Sequence, residues 1–288
     1  MAEANVGWKK CLDCHQDWFD KWKETRMGKL FLKAPQNETQ KLVCEACHGP
    51  GEEHIANVSA GEELDLSKLI TFKKHSTQTV DEKNGQCLQC HQNDAYTAMW
   101  KGSTHQGNKV ACVDCHTIMQ NNTDRKNMAK KTQADTCFQC HLQRKAQYQK
   151  SAHMPYREGK VTCTDCHNPH GTPNPKLIAA DSVNEACYKC HMEKRGPFLW
   201  EHAPVRESCL NCHEPHGSNH DKLLIAKRPQ LCQRCHAPTG HPANAYTDPG
   251  QAVAGNARQG QFMANRACNN CHSQIHGSNH PAGHRFHR

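Results

Sequence analysis

The chain has 288 residues, of which 20 are cysteine and 23 are histidine, and its formal net charge is +8. Only 36% of the residues are hydrophobic and the mean hydropathy is −0.90, and no run of about 18 apolar residues occurs. These values exclude a transmembrane helix and a conventional enzyme domain with a deep apolar core, so something other than side chains must fill the interior.

The predicted elements are short. In chain order, the residue pattern favours helices over 16–26, over 176–189 and over part of 193–201. Proline and glycine cluster between these segments, which divides the chain into short helices and loops, and the strand signal is weak. The sequence therefore predicts a mostly α and loop fold with little β structure.

Every cysteine belongs to a C-x-x-C pair that is followed directly by histidine, which makes ten motifs. Histidine is about one residue in twelve, so chance would place it after about one of the ten pairs. The cysteine pairs are Cys11 and Cys14, Cys44 and Cys47, Cys87 and Cys90, Cys112 and Cys115, Cys137 and Cys140, Cys163 and Cys166, Cys187 and Cys190, Cys209 and Cys212, Cys232 and Cys235, and Cys268 and Cys271. The motif histidines are His15, His48, His91, His116, His141, His167, His191, His213, His236 and His272.

The spacing of these motifs has a chemical reason. Two thiols three positions apart add to the two vinyl groups of one haem, and the adjacent histidine binds its iron. The motifs therefore predict ten covalently attached haem c groups. We predict no catalytic residue. Zinc sites, redox dithiols and disulfides also use C-x-x-C pairs, but none of them requires the histidine that follows each pair.

The charge and the cysteine chemistry bear on partners and compartment. Ten haems bring twenty propionates, which if ionised shift the formal charge from +8 to about −12, so the basic excess compensates haem rather than marking a nucleic-acid site. Haem attachment to C-x-x-C-H is expected in an oxidising compartment, the bacterial periplasm. The first ten residues contain no signal peptide, and we expect the sequence of a mature chain.

The motifs fall into five two-haem repeats within one elongated, haem-stacked domain spanning 1–288. The approximate repeat bounds are 11–86, 87–136, 137–186, 187–231 and 232–288. Each repeat offers histidines outside its motifs as the second axial ligands of iron. Those between the two motifs of a repeat are His105, His153, His202 and His241, and those after the second motif are His54, His170, His216 and His276.

Two positions of this pattern carry methionine instead. Met27 lies in the spacer of the first repeat, and Met119 follows His116 at the offset that His170 has from His167. Methionine is the other common axial ligand of c-type haem and raises the reduction potential. The alternative is that both side chains only pack and another residue binds iron. The candidates for that role are Met128, His75, His220, His280, His284 and His287.

A histidine three residues beyond a motif histidine has a tether of only about 10 Å, which does not easily pass around the haem edge to the same iron. The spacing therefore predicts that His170, His216 and, if it binds iron, Met119 bind neighbouring haems, while it leaves open which haems these are.

The segments YKCHMEKRGPFLWEHAPVRESCLNCHEPHGS and CNNCHSQIHGSNHP, with the recurring C-H-x-P-H-G pattern, resemble the MtrA/DmsE family of periplasmic decahaem cytochromes. The likeness covers nearly the whole chain and is strongest from Cys187 onward, and pentahaem NrfB-type carriers look like half of it. In that family all ten irons are usually bound by two histidines, so Met27 and Met119 depart from the pattern.

The resemblance implies an electron conduit across the outer membrane, inside a β-barrel porin. Such a chain carries electrons between periplasmic or inner-membrane cytochromes and an extracellular multihaem cytochrome or terminal reductase. It implies a periplasmic location, association with the outer membrane through the barrel, and no substrate-turnover site. Two other hypotheses remain: a multihaem reductase, which needs an iron with an open position, and a periplasmic shuttle without a barrel partner.

Overall fold

The computed structural model describes residues 5–61, 66, 68–122, 127–154, 156–236, 267–281 and 283–287. Within these ranges short helices are joined by loops, and β structure is limited to four isolated bridges. The predicted fold class, mostly α and loop with little β, is confirmed. No helix in the described ranges has both the length and the apolar character needed to cross a membrane.

The helices are numbered in chain order. The α-helices are α1 (Leu12–Trp22), α2 (Arg26–Lys33), α3 (Glu38–Lys41), α4 (Glu45–His48), α5 (Glu52–Ala60), α6 (Val80–His91), α7 (Thr104–Gly107), α8 (Cys112–Cys115), α9 (Gln133–Cys137), α10 (Leu142–Tyr148), α11 (Cys163–Cys166), α12 (Val183–Tyr188), α13 (Ala203–Glu207) and α14 (Gln230–Gln233). Short 3-10 turns span Trp8–Cys11, Pro175–Leu177, Met192–Lys194, Cys209–Asn211, Asp221–Leu223, Cys268–Asn270 and Gly283–Arg285.

The helix predicted over 16–26 is confirmed in its larger part by α1. The chain then turns at Thr25, whose side chain is fully buried. The Thr25 hydroxyl donates to the Trp22 carbonyl oxygen at 2.7 Å and accepts from the Gly28 amide at 3.0 Å, so that it closes one helix and caps the next.

The other two helix predictions hold only locally. The prediction over 176–189 is confirmed in α12, where the Ser182 side chain accepts a hydrogen bond from the Glu185 amide. The prediction over part of 193–201 is confirmed only in the 3-10 turn at Met192–Lys194. Gly196, with φ +80°, and Pro197 interrupt the helical pattern there.

The chain divides into two compact units. The first comprises Met1–Cys140 with His167–Leu177, and the second comprises His141–Cys166 with Ile178–Arg288. The first unit therefore contains motifs 1 to 4 and the cysteines of motif 5, and the second contains the cysteines of motif 6 and motifs 7 to 10. The single domain of five two-haem repeats stays a prediction.

One cluster of buried apolar side chains lies in the first unit and is called the N-terminal cluster below. Its buried members are Trp22, Phe31, Val43 and Ala46. The partly buried side chains that pack against them are Trp8, Phe19, Met27, Leu30, Leu32, Leu42, Cys44, Cys47 and Met119. Two cysteines of one motif and both methionines that the sequence singled out thus pack against the same buried cluster.

Candidate haem sites

Motifs 2, 4, 7, 8, 9 and 10 each close one helical turn, which gives the C-x-x-C-H spacing its geometry. The amide of the motif histidine donates to the carbonyl oxygen of the first cysteine, four residues earlier, at 2.9 Å in motif 4 and 3.1 Å in motif 2. Residues three and four positions apart lie on the same face of a helical turn. Both cysteines and the histidine of a motif therefore project to one side.

The first cysteines of two motifs in the same repeat are in hydrogen-bond contact. These contacts join Cys11 to Cys44, Cys87 to Cys112, Cys187 to Cys209, and Cys232 to Cys268. In the first contact the Cys44 thiol lowers the pKa of Cys11 to about 7. All twenty cysteines lie in the described residues, and the structure joins none of them in a disulfide.

Successive repeats meet through their second cysteines instead. Burial raises the pKa of Cys47 to about 11, and the nearby Cys90 of motif 3 adds to the rise. The same neighbour effect links Cys115 to Cys140, Cys166 to Cys190, and Cys212 to Cys235. Motifs that follow one another in the sequence are therefore neighbours within each unit, alternating between contacts of first and of second cysteines.

Several motif histidines face a histidine from outside the motifs. The ring centroids are 6.5 Å apart for His15 and His54, 5.9 Å for His116 and His170, 6.1 Å for His191 and His153, 6.1 Å for His236 and His202, and 6.2 Å for His213 and His276. A metal ion with imidazole nitrogens at about 2 Å on either side holds two ring centroids about 6 Å apart. The residues present therefore fit a haem iron between two axial histidines.

The opposite ring nitrogen of several motif histidines is held by backbone oxygens. Nδ1 of His48, His167 and His213 lies 2.8 Å from the carbonyl oxygens of residues 70, 176 and 222, respectively. A hydrogen bond from Nδ1–H to a carbonyl leaves the Nε2 lone pair available to a metal and orients the ring. His91 makes the corresponding contact with the Asp94 carboxylate at 2.7 Å.

The half-buried histidines outside the motifs are suited to bind metal in the neutral form. Burial lowers the pKa of His276, and the nearby Lys194 contributes to the shift. Nδ1 of His54 and of His153 is buried without a hydrogen-bond partner. Burial of an unsatisfied ring nitrogen is costly, and axial binding of the ring to iron offsets that cost.

The remaining predicted ligands fall in several places. Nδ1 of His105 lies 2.7 Å from the Pro169 carbonyl oxygen, and Nδ1 of His216 lies 2.8 Å from a Glu214 carboxylate oxygen. His241 lies outside the described residues. In the part of the chain that the structure describes, no three His, Cys, Asp or Glu side chains converge as a zinc site requires.

Two asparagines align the paired motifs, and the sequence analysis missed them. The Asn84 side chain accepts a hydrogen bond from the Cys112 amide at 2.8 Å, and the buried Asn184 accepts one from the Cys209 amide at 2.8 Å. Each asparagine precedes the first cysteine of its own motif by three residues. This recurring position of asparagine, present in only two of the five repeats, was the sequence pattern that could have identified these residues.

A glycine follows each of three histidines outside the motifs and allows close packing. Gly171, Gly217 and Gly277 have φ of +128°, +141° and +141°. A Cβ at Gly171 would lie 2.1 Å from the Met99 carbonyl oxygen. The conformation and the contact both require glycine, and together they hold His170 opposite His116.

We expect Gly171→Ala to displace His170 and to leave one haem partly high-spin in the oxidised protein. The strained backbone and the contact with Met99 also cost about 1–3 kcal/mol in the free energy of unfolding. Low-temperature EPR and thermal unfolding measure the two effects. Gly85→Ala is the matched control, because no atom lies within 4 Å of a Cβ at Gly85, and an equal effect of that change would contradict the assignment.

Comparison with known proteins agrees with the geometry. The doubled CXXCH motif family matches residues 153–196 and 202–241, and the NrfB-like family of c-type cytochromes matches residues 44–132. The chain is 43% identical over 295 residues to the multiheme cytochrome MtrA of Shewanella baltica, covering 98% of this chain and 83% of the relative. It is 27% and 26% identical to the cytochrome c-type proteins NrfB of Escherichia coli O6:H1 and Haemophilus influenzae, with 46% of this chain and 63% of each relative covered.

Proposed function

We propose a function from the premise that this chain belongs to the MtrA family of multihaem cytochromes, whose covalently bound haem c groups transfer electrons. The finer proposal is that the chain holds ten haems and conducts electrons across the outer membrane inside a β-barrel porin. Its partners are then that porin, periplasmic or inner-membrane cytochromes on one side, and an extracellular multihaem cytochrome or terminal reductase on the other. We propose no substrate-turnover site.

The observation that carries the proposal is the unbroken succession of motif contacts within each unit. Motif 2 touches motif 1 through Cys44 and Cys11, and it lies beside motif 3 through Cys47 and Cys90. In the second unit, motif 8 likewise touches motif 7 through Cys209 and lies beside motif 9 through Cys212. A succession of this kind supports a conduit in which each site exchanges electrons with the next in sequence order.

The chain's own residues have defined tasks in this proposal. The twenty cysteines anchor the haems, and the ten motif histidines bind iron on one side. Haem c supplies a one-electron couple whose potential depends on the axial ligands. His170 and His276 then serve neighbouring repeats, because His170 faces motif 4 and His276 faces motif 8. These cross-repeat ligands hold neighbouring sites at short separation.

The proposal is tested with the protein purified from outer membranes. We expect it to co-purify with a β-barrel protein and to carry ten haems by pyridine haemochrome assay and intact mass. In liposomes containing the complex, a reduced dye trapped inside should reduce an iron oxide outside, whereas liposomes with the barrel alone should not. Recovery of the chain without a barrel protein from intact membranes would contradict the conduit and favour a periplasmic shuttle.

A further inference from the structure

The histidines of the neighbouring motifs 2 and 3 contact side chains other than histidine. Among the described residues, no histidine ring packs against His48 of motif 2 or His91 of motif 3. His48 contacts the Phe72 ring edge-on at 5.5 Å, and His91 pairs with Asp94. Only one histidine of the chain, His241, lies outside the described residues, and its sequence position is in the last repeat.

His54 of the first repeat, which has no preceding repeat, faces His15 of its own repeat. The histidines after the second motif of later repeats, His170 and His276, follow a common rule. Their segment packs on the spacer of the preceding repeat: Gly171 meets Met99, and Gly277 meets Phe198. With this packing, the histidine faces the second motif of that preceding repeat, as His170 faces His116 and His276 faces His213.

The segment that follows motif 4 packs on the spacer of the first repeat in the same way, but it carries methionine in place of histidine. The Asn121 side chain, two residues after Met119, donates to the Glu24 carbonyl oxygen of the first spacer at 3.1 Å. By this rule we expect Met119 to face the histidine of motif 2. The N-terminal cluster supports this direction independently, because Met119 and both motif 2 cysteines, Cys44 and Cys47, pack against the same buried side chains.

The spacer ligands follow a second rule. His153 of the third repeat faces His191, and His202 of the fourth repeat faces His236. Each of these spacer histidines therefore faces the first motif of the next repeat. Met27 lies in the spacer of the first repeat. By this rule we expect Met27 to face the first motif of the second repeat, which is motif 3.

Motifs 2 and 3 are themselves in direct contact. The Gln89 side chain of motif 3 donates to the Ala46 carbonyl oxygen of motif 2 at 2.9 Å. Ala46 is also a buried member of the N-terminal cluster, against which Met27 and Met119 pack. Both methionines therefore pack on the cluster that reaches the contact between these two motifs.

We infer that Met119 and Met27 are the second axial ligands of the irons held by His48 and His91, so that two His/Met sites are direct neighbours. The inference rests on the ligand pairing of the proposed conduit. Because thioether ligation raises the potential relative to imidazole, the junction of motifs 2 and 3 retains two electrons that the histidine-ligated sites have already lost.

The test is near-infrared magnetic circular dichroism of the oxidised holoprotein, combined with a potentiometric titration. We expect a His/Met charge-transfer band equivalent to two haems, and two electrons at the high-potential end of the titration. The variant with Met27→His and Met119→His should lose the band and the high-potential pair, while each single change removes half. Met192→His is the matched control, because its side chain is 60% exposed, and it should leave both signals unchanged.

The assignment to motifs is tested separately. The variant with Cys87→Ala and Cys90→Ala, which cannot anchor haem at motif 3, should keep half of the band. Removal of both cysteines of motif 10, Cys268 and Cys271, should leave the whole band. Absence of the band in the wild-type protein, or a full band after loss of motif 3, would overturn the inference. Either result leaves the conduit proposal intact, because barrel capture and liposome transfer do not report ligand identity.

Discussion

We expect the variant with Cys209→Ala and Cys212→Ala to attach nine haems and to lose nearly all electron transfer across liposome membranes. Cys209 contacts motif 7 through Cys187, and Cys212 lies beside motif 9 through Cys235. If the sites act in a single file, the loss of motif 8 forces motifs 7 and 9 to exchange electrons directly over a longer distance. An added barrier of about 3 kcal/mol slows one step by at least a hundredfold. We expect the rate of electron transfer across the membrane to fall by at least that factor.

The liposome assay with trapped reductant and external iron oxide measures this rate, and the haem count and circular dichroism establish that the variant folds. Leu210→Ala is the matched control, since Leu210 lies between the two cysteines and its side chain is partly exposed. It should keep ten haems and the wild-type rate. Wild-type transfer by the nine-haem variant would show that the sites do not act in single file.

The second large effect is expected from His276→Ala, which should convert one haem from low-spin to high-spin. His276 faces His213 with a centroid separation of 6.2 Å, and Gly277 packs tightly on Phe198 to hold it there. Removal of the imidazole should leave a cavity and an open axial position opposite His213. The site should then bind cyanide or carbon monoxide, which a six-coordinate iron resists.

Low-temperature EPR of the oxidised protein measures the high-spin fraction, and added imidazole should restore the low-spin signal by refilling the cavity. A purely structural role for His276 would not show this rescue. His75→Ala is the control, because His75 is exposed and faces no motif histidine. A fully low-spin His276→Ala protein would mean that another ligand serves motif 8.

Some predictions from sequence depended only on local chemistry and agree with the structure. The C-x-x-C-H spacing requires one helical turn, and the bond from the His116 amide to the Cys112 carbonyl provides it. Composition predicted a small apolar core, and the N-terminal cluster has only four buried members. Helix prediction held at α1 but not over 193–201, because Gly196 and Pro197 outweighed the periodic pattern.

The partners of the histidines outside the motifs were not predictable in this way. The tether argument indicated that His170 serves a neighbouring site, but His116 was one of several candidates. The answer depends on Gly171, which packs on Met99 of the preceding repeat and so sets the direction of His170. The backbone oxygens that orient the motif histidines, such as the one of residue 176, carry no side-chain signature at all.

The sequence by itself determined the cofactor chemistry, the number of attachment motifs and the supply of second ligands, because each of these depends on residue type and on spacing within one or two helical turns. Only the tertiary structure decided which motifs are neighbours and which ligand faces which motif histidine. Those relations come from packing between repeats, as at Gly277 on Phe198 and Asn121 on Glu24. Such contacts join residues far apart in the chain, and local spacing carries no information about them.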